Sequence, residues 1–225
     1  MTNKPLLLAI DTATRFAGLA LYDGELIRAE AYWLSCDNHS VELMPALVRM
    51  LDQQGVGAKD LSAVAVALGP GSFTGLRIGL SVAKGLAQAN KIPILGIPTL
   101  DILRVQHAEQ RRPIWAVIQA GRGRLCVARY ERRRGRWRRR GEVELTTLDG
   151  LTERLDGRCL VCGELNKEQV AYVSERTEAD VVFATPSQTM RRPACLAELA
   201  WQRFEHGEQD DLTTLSPIYL QRPQV

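Results

Sequence analysis

Residues 63–79 constrain the possible folds of this chain more than any other segment. Residues 63–68 read Ala-Val-Ala-Val-Ala-Leu, an uninterrupted apolar run that is typical of a strand buried on both faces in the middle of a parallel sheet. The run leads directly into the turn Gly69-Pro70-Gly71-Ser72-Phe73-Thr74-Gly75, and a helical stretch follows over residues 76–90. A buried strand, a glycine-rich turn and a helix in this order predict part of a mixed α/β fold.

The glycine-rich turn has two interpretations. Its glycines permit positive φ and a close approach of the backbone, and Ser72 or Thr74 can cap the helix. The N–H groups at the start of the helix could also hold an anion. The turn is not a P-loop, because Gly75 is followed by Leu76 and not by Gly-Lys-Ser/Thr. The residues alone favour a tight packing turn over an anion site.

The order of predicted elements repeats along the chain. Three strands joined by short turns (6–10, 17–22, 27–33) precede a helix around residues 43–51, for which Ser40 is the expected cap and Pro45 implies a kink or a later start. The buried strand, the helix and a strand at 93–97 complete the first series, and a similar, imperfect series follows after residue 105. The repeat predicts an α/β fold of two ribonuclease-H-like lobes, the second one reduced.

The expected domain organisation follows from this repeat. Residues 1–105 form an N-terminal lobe, which a C-terminal helix at 193–207 completes. Residues 106–192 form the second lobe, with the arginine-rich segment 131–141 as a hairpin tip, and residues 208–225 form a C-terminal tail.

Composition excludes several classes of protein. The chain is 45% hydrophobic and 24% charged, which is ordinary for a soluble globular protein. No run approaches the ~18 apolar residues of a membrane span, and the N-terminus lacks the apolar core of a secretory signal. We therefore expect a cytoplasmic protein whose five cysteines are free thiols. Cys159 and Cys162 should point to opposite faces of a strand and cannot bind one metal together.

Charge is distributed unevenly. The net charge is +3, but residues 132–140 contain seven arginines, and without them the balance of 22 basic and 26 acidic residues is −4. The chain is therefore a mildly acidic protein with one basic protrusion, and not a generally basic nucleic-acid binder.

Four ordered motifs resemble a known family. They are Leu8-Ala9-Ile10-Asp11-Thr12-Ala13-Thr14, His39-Ser40-Val41-Glu42-Leu43-Met44-Pro45, the glycine segment at 68–79, and Pro217-Ile218-Tyr219-Leu220. Together they resemble the TsaB (YeaZ) family, strongly over residues 6–105 and more loosely afterwards. The resemblance implies the actin-like ATPase fold of sugar kinases, Hsp70 and actin.

The resemblance also implies a function. Members of that family are partner subunits in the synthesis of N6-threonylcarbamoyladenosine at position 37 of tRNAs reading codons that begin with A. The implied partners are a metal-dependent transferase paralogue of the TsaD type, a small ATPase of the TsaE type and, through the complex, tRNA. A homodimer is expected when the partner is absent. No cofactor is expected on this chain alone, although ATP or ADP can enter in the assembled complex.

The resemblance predicts a chain without catalytic residues. The active paralogue carries two histidines four apart just after the strand that corresponds to residues 94–97, and this chain has Thr99 and Leu103 at those places. Neither side chain is a good ligand for a transition metal. The three histidines, His39, His107 and His206, are scattered, so no metal site is expected.

Three sets of candidate site residues follow. The expected partner interface is on two helices: Leu43, Leu47, Met50, Leu51, Ile78, Val82 and Leu86. Candidate contacts to a nucleotide or anion at the junction with the partner are Asp11, Thr12, Gly69, Gly71, Ser72 and Thr74. Candidate tRNA contacts are Arg133, Arg136 and Arg138, for which a solvated loop is the plainer interpretation.

One segment departs from the family pattern, and the fold is compatible with another class of function. Many family members carry an acidic turn where this chain has the basic Gln119-Ala120-Gly121-Arg122-Gly123-Arg124, so any role of those acids is in doubt here. The alternative function is a stand-alone kinase-like ATPase or peptidase of the same fold. The second lobe offers few glycine-rich turns for a kinase, and Ser72 has no evident histidine partner for a peptidase.

Overall fold

The computed structural model describes residues 4–35 and 38–220. Within them the chain divides into two compact units. Residues up to 99 and residues 192–219 form the first unit, and residues 100–191 with Leu220 form the second. The α-helices are α1 (His39–Gln53), α2 (Phe73–Asn90), α3 (Thr99–Val105), α4 (Leu148–Arg154), α5 (Lys167–Arg176) and α6 (Pro193–Glu205).

The first unit contains a five-stranded sheet in the order β3-β2-β1-β4-β5. Its strands are β1 (Leu7–Asp11), β2 (Phe16–Tyr22), β3 (Ile27–Leu34), β4 (Ala63–Gly69) and β5 (Ile94–Pro98). The first three strands form an antiparallel meander, and β4 and β5 continue the sheet in parallel on the other side of β1. Every residue of β1 and β4 is buried, as their apolar composition predicts for central strands.

Helices cover both faces of this sheet. One face packs against α1 and α2 through a cluster that includes Leu8, Ile10 and Leu19. Gly18 points to the opposite face because it neighbours Leu19 along β2, and a Cβ there would collide with Pro193 of α6. The first residue of α6 thus fixes where the helix packs on β1 and β2.

The start of α1 differs from the sequence prediction. The helix begins at His39 and continues through Pro45, with Asn38 and not Ser40 as its N-cap. Val41 and Glu42 donate their backbone N–H groups to the carbonyl oxygen of Asn38. Pro45 lies beyond the first turn and removes one internal hydrogen bond, but the buried face of α1 compensates for that loss.

The second unit repeats the topology of the first. Its sheet has the order β10-β9-β6-β7-β8, which is again an antiparallel meander with two parallel strands added beside its first strand. The strands are β6 (Ile114–Gln119), β7 (Leu125–Arg133), β8 (Arg136–Thr146), β9 (Arg158–Gly163) and β10 (Asp180–Phe183). Its helices α4 and α5 have 7 and 10 residues, against 15 and 18 for α1 and α2. The prediction of two ribonuclease-H-like lobes with a reduced second copy is confirmed.

The boundaries of the units differ from those expected. The division falls between residues 99 and 100 and not at 105, because Leu100 and Leu103 of α3 belong to the core of the second unit. Residues 208–219 are not a separate tail, since Asp210 pairs with Ile94 and the Ile218 N–H donates to the Leu68 carbonyl. Residues 221–225 of the predicted tail lie outside the described residues.

Two local predictions have clear outcomes. The arginine-rich tip at 131–141 is mostly strand and not loop, because β7 and β8 pair as far as Arg133 and Arg136. Cys159 and Cys162 are buried free thiols that belong to two different core clusters, as their opposite orientations in β9 require. Cys36 lies outside the described residues.

Length and composition of the helices also bear on membrane association. Neither α2, the longest at 18 residues, nor any other helix in the described ranges is apolar and long enough to span a bilayer.

Candidate functional site

The glycine-rich turn connects β4 to α2. Ser72 is the N-cap of α2, and its Oγ accepts a hydrogen bond of 3.2 Å from the backbone N–H of Gly75. This leaves Thr74 as an exposed residue of the first helical turn. Of the two predicted capping residues, Ser72 and Thr74, Ser72 therefore caps the helix with its hydroxyl.

The glycines of this turn are explained by the chain segment packed against them. A Cβ added to Gly71 or Gly75 would approach the carbonyl oxygens of Ala13 and Thr12 closer than 3.0 Å, a distance that real Cβ atoms essentially never show. The Ser72 N–H donates to the Ala13 carbonyl at 2.6 Å, and the Thr12 hydroxyl donates to the Gly75 carbonyl at 2.7 Å. The space that these glycines leave is filled by the β1–β2 turn.

The two polar candidates in the β1–β2 turn are buried. Asp11 is 1% exposed, and its Oδ1 accepts a hydrogen bond of 2.9 Å from the Ala13 N–H. Thr12 is also 1% exposed and is held by the bond to Gly75. Asp11 therefore organises its own turn, which is the common role of an aspartate at such a position.

The C-terminal motif docks on the same turn. Gly69 has a φ of +109°, and a Cβ there would press on the Ile218 carbonyl oxygen. Beyond it, the Arg77 guanidinium lies 3.7 Å from the Phe73 ring centroid and its Nε donates to the Tyr219 hydroxyl at 3.1 Å. Arg77 and Tyr219 lie within the sequence motifs, but the pattern of residues does not indicate this contact.

The positions at which the active paralogue carries histidines are part of the protein core. Thr99 is fully buried, and its Oγ1 accepts a hydrogen bond of 3.0 Å from the Gly69 N–H. Leu103 is fully buried in the core cluster of the second unit. Both side chains serve the packing of the chain, so this place does not fit a transition metal.

The histidines have other environments. His39 is buried, and its Nε2 donates to the Thr14 carbonyl oxygen at 2.9 Å. His107 lies in the second unit, and His206 is exposed at the end of α6. In the described ranges there is no group of three or more His, Cys, Asp or Glu residues arranged to hold a metal ion.

The second unit closes the corresponding edge of its sheet with its own side chains. Gln119 ends β6 as Asp11 ends β1, and Gly163 ends β9 as Gly69 ends β4. The Gln119 side chain donates to the Glu164 carbonyl at 2.7 Å, and the Glu164 carboxylate contacts the guanidinium of Arg191 at 3.1 Å. Arg191 is only 1% exposed, so this ion pair is an internal contact. The sequence does not predict it, because the two residues are far apart along the chain.

The predicted interface on α1 requires a correction. Leu43 and Leu47 are 1% exposed, and Met50 and Leu51 are also buried in the core of the first unit. These four residues hold α1 on the sheet and are not available to a partner. The outward apolar residues of α1 are Val41, Met44 and Val48, which are 71%, 42% and 50% exposed.

The neighbouring face of α2 is different. Ile78, Val82 and Leu86 are half-buried and pack at the edge of the core, so each offers only part of its side chain. The exposed positions Ser81 and Gly85 carry little or no side chain, and nothing lies within 4 Å of a Cβ placed on Gly85. An exposed glycine inside a helix costs stability and has no packing reason within this chain.

The candidate tRNA contacts lie on the β7–β8 hairpin. Arg133, Arg136 and Arg138 are exposed, and the strand register brings them to one face. The basic turn at Gly121-Arg122-Gly123 has positive φ at all three residues and connects β6 to β7.

Comparison with known protein families gives a consistent result. A family model described as TsaD, tRNA N6-adenosine threonylcarbamoyltransferase, matches residues 34–218. A relative from Escherichia coli K12, the tRNA threonylcarbamoyladenosine biosynthesis protein TsaB, is 28% identical over 95% of this chain and 94% of its own length. The Bacillus subtilis protein of the same name is 36% identical over 57% of this chain and 56% of its own length, so that alignment spans little more than half of the relative.

Two solved structures have folds similar to that of this chain. YeaZ from Pseudomonas aeruginosa superposes with a TM-score of 0.77 over 96% of this chain and 100% of its own, at 26% identity. The activator of 2-hydroxyisocaproyl-CoA dehydratase from Clostridium difficile, solved with ADPNP, has a TM-score of 0.52 over 92% of this chain and 99% of its own, and at 9% identity it shows the fold alone. The fold is the α/β fold of the actin-like ATPase class that the family resemblance implied.

Two glycine substitutions test whether the turn is filled by the chain itself. We expect Gly71→Ala to lower the free energy of unfolding by about 1–3 kcal/mol, because the new methyl group collides with the Ala13 carbonyl. Gly85→Ala is the matched control and should raise that free energy by about 0.5–1 kcal/mol. Urea denaturation of both variants measures the difference, and a Gly71→Ala variant as stable as wild type would contradict the packing interpretation.

Proposed function

The chain belongs to the TsaB (YeaZ) family, and on that premise we propose that it acts in the formation of N6-threonylcarbamoyladenosine at position 37 of tRNAs reading codons that begin with A. In this proposal it is a partner subunit that binds and activates the metal-dependent transferase of the TsaD type. The names of the E. coli and B. subtilis relatives support the pathway.

One observation carries the proposal that this subunit is not itself catalytic. Thr99 and Leu103, which stand where the active paralogue has its histidine pair, are fully buried and committed to packing. A transferase that depends on a metal needs imidazole or carboxylate ligands at an accessible place. The closed edge of the second sheet, with its Glu164–Arg191 ion pair, supports the same conclusion.

The proposal includes further partners and conditions. A small ATPase of the TsaE type joins the complex transiently, tRNA is bound by the complex, and the chain forms a homodimer when the transferase is absent. This chain alone binds no nucleotide, and ATP or ADP enters only in the assembled complex, near Ser72 and Thr74 at the start of α2. The complex acts in the cytoplasm.

The outward face of α1 and α2 is the proposed docking surface for the transferase. We call this surface the helix face and define it by Val41, Met44 and Val48 on α1 with Ser81 and Gly85 on α2. Three exposed apolar side chains beside two positions without bulk allow a partner helix to approach closely while it buries apolar area. The helix face replaces the buried residues of α1 in the sequence prediction and adjoins the half-buried Ile78, Val82 and Leu86.

The alternative functions have less support. A kinase of this fold needs phosphate-binding turns in both lobes, and the second unit fills that edge with Gln119, Glu164 and Arg191. A peptidase needs an activated nucleophile, and the Ser72 hydroxyl is used as the helix cap. The comparisons do not favour either alternative.

A charge placed on the helix face should prevent assembly without unfolding the chain. We expect Val48→Asp to weaken binding to the transferase at least tenfold, because an unpaired carboxylate would be buried at the interface. Leu26→Asp is the matched control, since Leu26 is 66% exposed in the β2–β3 turn of the same unit. Leu47→Asp is unsuitable as a test because that side chain is in the core.

Sizing-column and calorimetric measurements of the two variants with purified transferase decide this point. Wild-type affinity of Val48→Asp, with Leu26→Asp unchanged as well, would remove the helix face from the proposal.

The function itself is tested by an add-back assay. Transferase, small ATPase, threonylcarbamoyl-adenylate and tRNA are combined with and without this chain, and modified adenosine is quantified by mass spectrometry. We expect product to depend on the chain and to saturate at stoichiometric equivalence with the transferase. Equal product in its absence, or product from this chain without the transferase, would refute the proposed role.

A further inference from the structure

The β7–β8 hairpin has two faces with different roles. Residues that pair directly across an antiparallel ladder lie on the same face, and successive residues alternate. The pairs Arg133↔Arg136, Glu131↔Arg138 and Arg129↔Arg140 therefore share one face, which we call the arginine face. The pairs Arg132↔Trp137 and Tyr130↔Arg139 share the other.

The opposite face fixes the hairpin to the second unit. The Trp137 indole packs at the edge of the core and donates its Nε1–H to the Ala108 carbonyl at 2.9 Å. Tyr130 is 2% exposed and donates to the Asp101 carboxylate at 2.5 Å. Burial, reinforced by Asp101, raises the pKa of Tyr130, so the phenol keeps its proton for this bond. Both rings lie on the opposite face, so the arginine face presents guanidinium groups and no aromatic side chain.

The arginine face has an excess of positive charge that the chain does not neutralise. The face carries five arginines and one acid, Glu131, whose carboxylate lies 3.1–3.4 Å from Arg129, Arg133 and Arg140. Arg129 has a second acidic partner, Asp156, at 3.0 Å. Burial raises the pKa of Glu131, but the surrounding arginines outweigh burial and lower it below its ordinary value. Within residues 4–35 and 38–220, Arg136 and Arg138 form no ion pair.

The hairpin keeps arginine where local structure disfavours it. Arg134 and Gly135 form a two-residue turn with φ of 50° and 78°, the geometry of a type I′ turn that prefers Asn-Gly. A non-glycine residue without a short polar side chain pays about 1–2 kcal/mol in the left-handed region. Arg133 and Arg136 are like charges directly opposite each other, which also destabilises the pair. Glu131 lies 3.4 Å from Arg133 and offsets part of this repulsion, whereas Arg136 has no acidic partner among the described residues. A polyanion bound to this face would offset the remainder.

We propose that the arginine face binds the phosphate backbone of the tRNA that the assembled complex modifies. This inference rests on the proposed function, which supplies the RNA. Alternate residues on a strand are about 6.6 Å apart, so Arg136, Arg138 and Arg140 form a row whose spacing is comparable to that of successive phosphates. Arginine suits this contact because its planar guanidinium binds phosphate oxygens in pairs. The contact adds affinity and orientation but no sequence preference.

The test uses the whole complex and a triple variant. In Arg133→Ser, Arg136→Ser, Arg138→Ser, the turn and the anchored face are retained. We expect tRNA affinity to fall about tenfold or more near 0.1 M salt, and the slope of log K against log salt to decrease by about two, at roughly 0.7 per lost phosphate contact. The control triple Arg111→Ser, Arg158→Ser, Arg176→Ser makes the same change in net charge at exposed positions of the same unit and should change the slope little.

The outcomes separate this inference from the proposed function. If wild-type chain supports product formation in the add-back assay but the hairpin variant keeps the wild-type salt slope, the arginine face does not bind tRNA. If the variant loses affinity for the transferase or the small ATPase while its tRNA slope is unchanged, the face binds an acidic protein surface and the inference is overturned. If wild-type chain does not support product formation, the proposed function has failed, and direct tRNA binding by the complex still decides whether the face contacts RNA.

Discussion

The packing of the β1–β2 turn against the glycine-rich start of α2 is the contact on which the first unit depends. Thr12 and Gly75 are 63 residues apart in sequence, yet the Thr12 hydroxyl donates to the Gly75 carbonyl. The same short segment receives the Ser72 N–H and fills the space beside Gly71. A glycine-rich turn after a buried strand resembles a phosphate site in sequence, but here the protein backbone occupies the space that a ligand would need.

Because the chain itself fills the glycine-rich turn, the contacts that we propose for function lie on exposed surfaces. The C-terminal motif seals Gly69 from one side, and Arg77 holds Phe73 and Tyr219 together beside it. The second unit repeats the topology and closes the matching edge with a buried ion pair in which a guanidinium and a carboxylate neutralise each other. Among the described residues, the first unit exposes the apolar helix face and the second unit exposes the arginine face.

The sequence predicted the elements well and their environments less well. Residues 63–68 could be assigned to a central strand because only a doubly covered strand is apolar throughout, and the repeat of strand and helix order gave the duplicated fold. The periodic leucines of α1 were correctly placed on a helix, but a one-dimensional pattern does not say whether an apolar stripe meets its own sheet or another protein. Leu47 is in the core, whereas Val48, one position along, is exposed. The Gln119–Glu164–Arg191 network could not be predicted, because it joins residues from three separate parts of the chain.

We propose that the glycine-rich turn packs against its own chain and that this subunit acts by binding its partner. Calorimetric titration of magnesium-ATP into the isolated, folded chain tests it most directly. We expect no saturable heat at millimolar nucleotide, because Asp11, Thr12 and the space beside the glycines are all used internally. A saturable site of micromolar affinity that Asp11→Asn abolishes, with thermal unfolding unchanged, would contradict it.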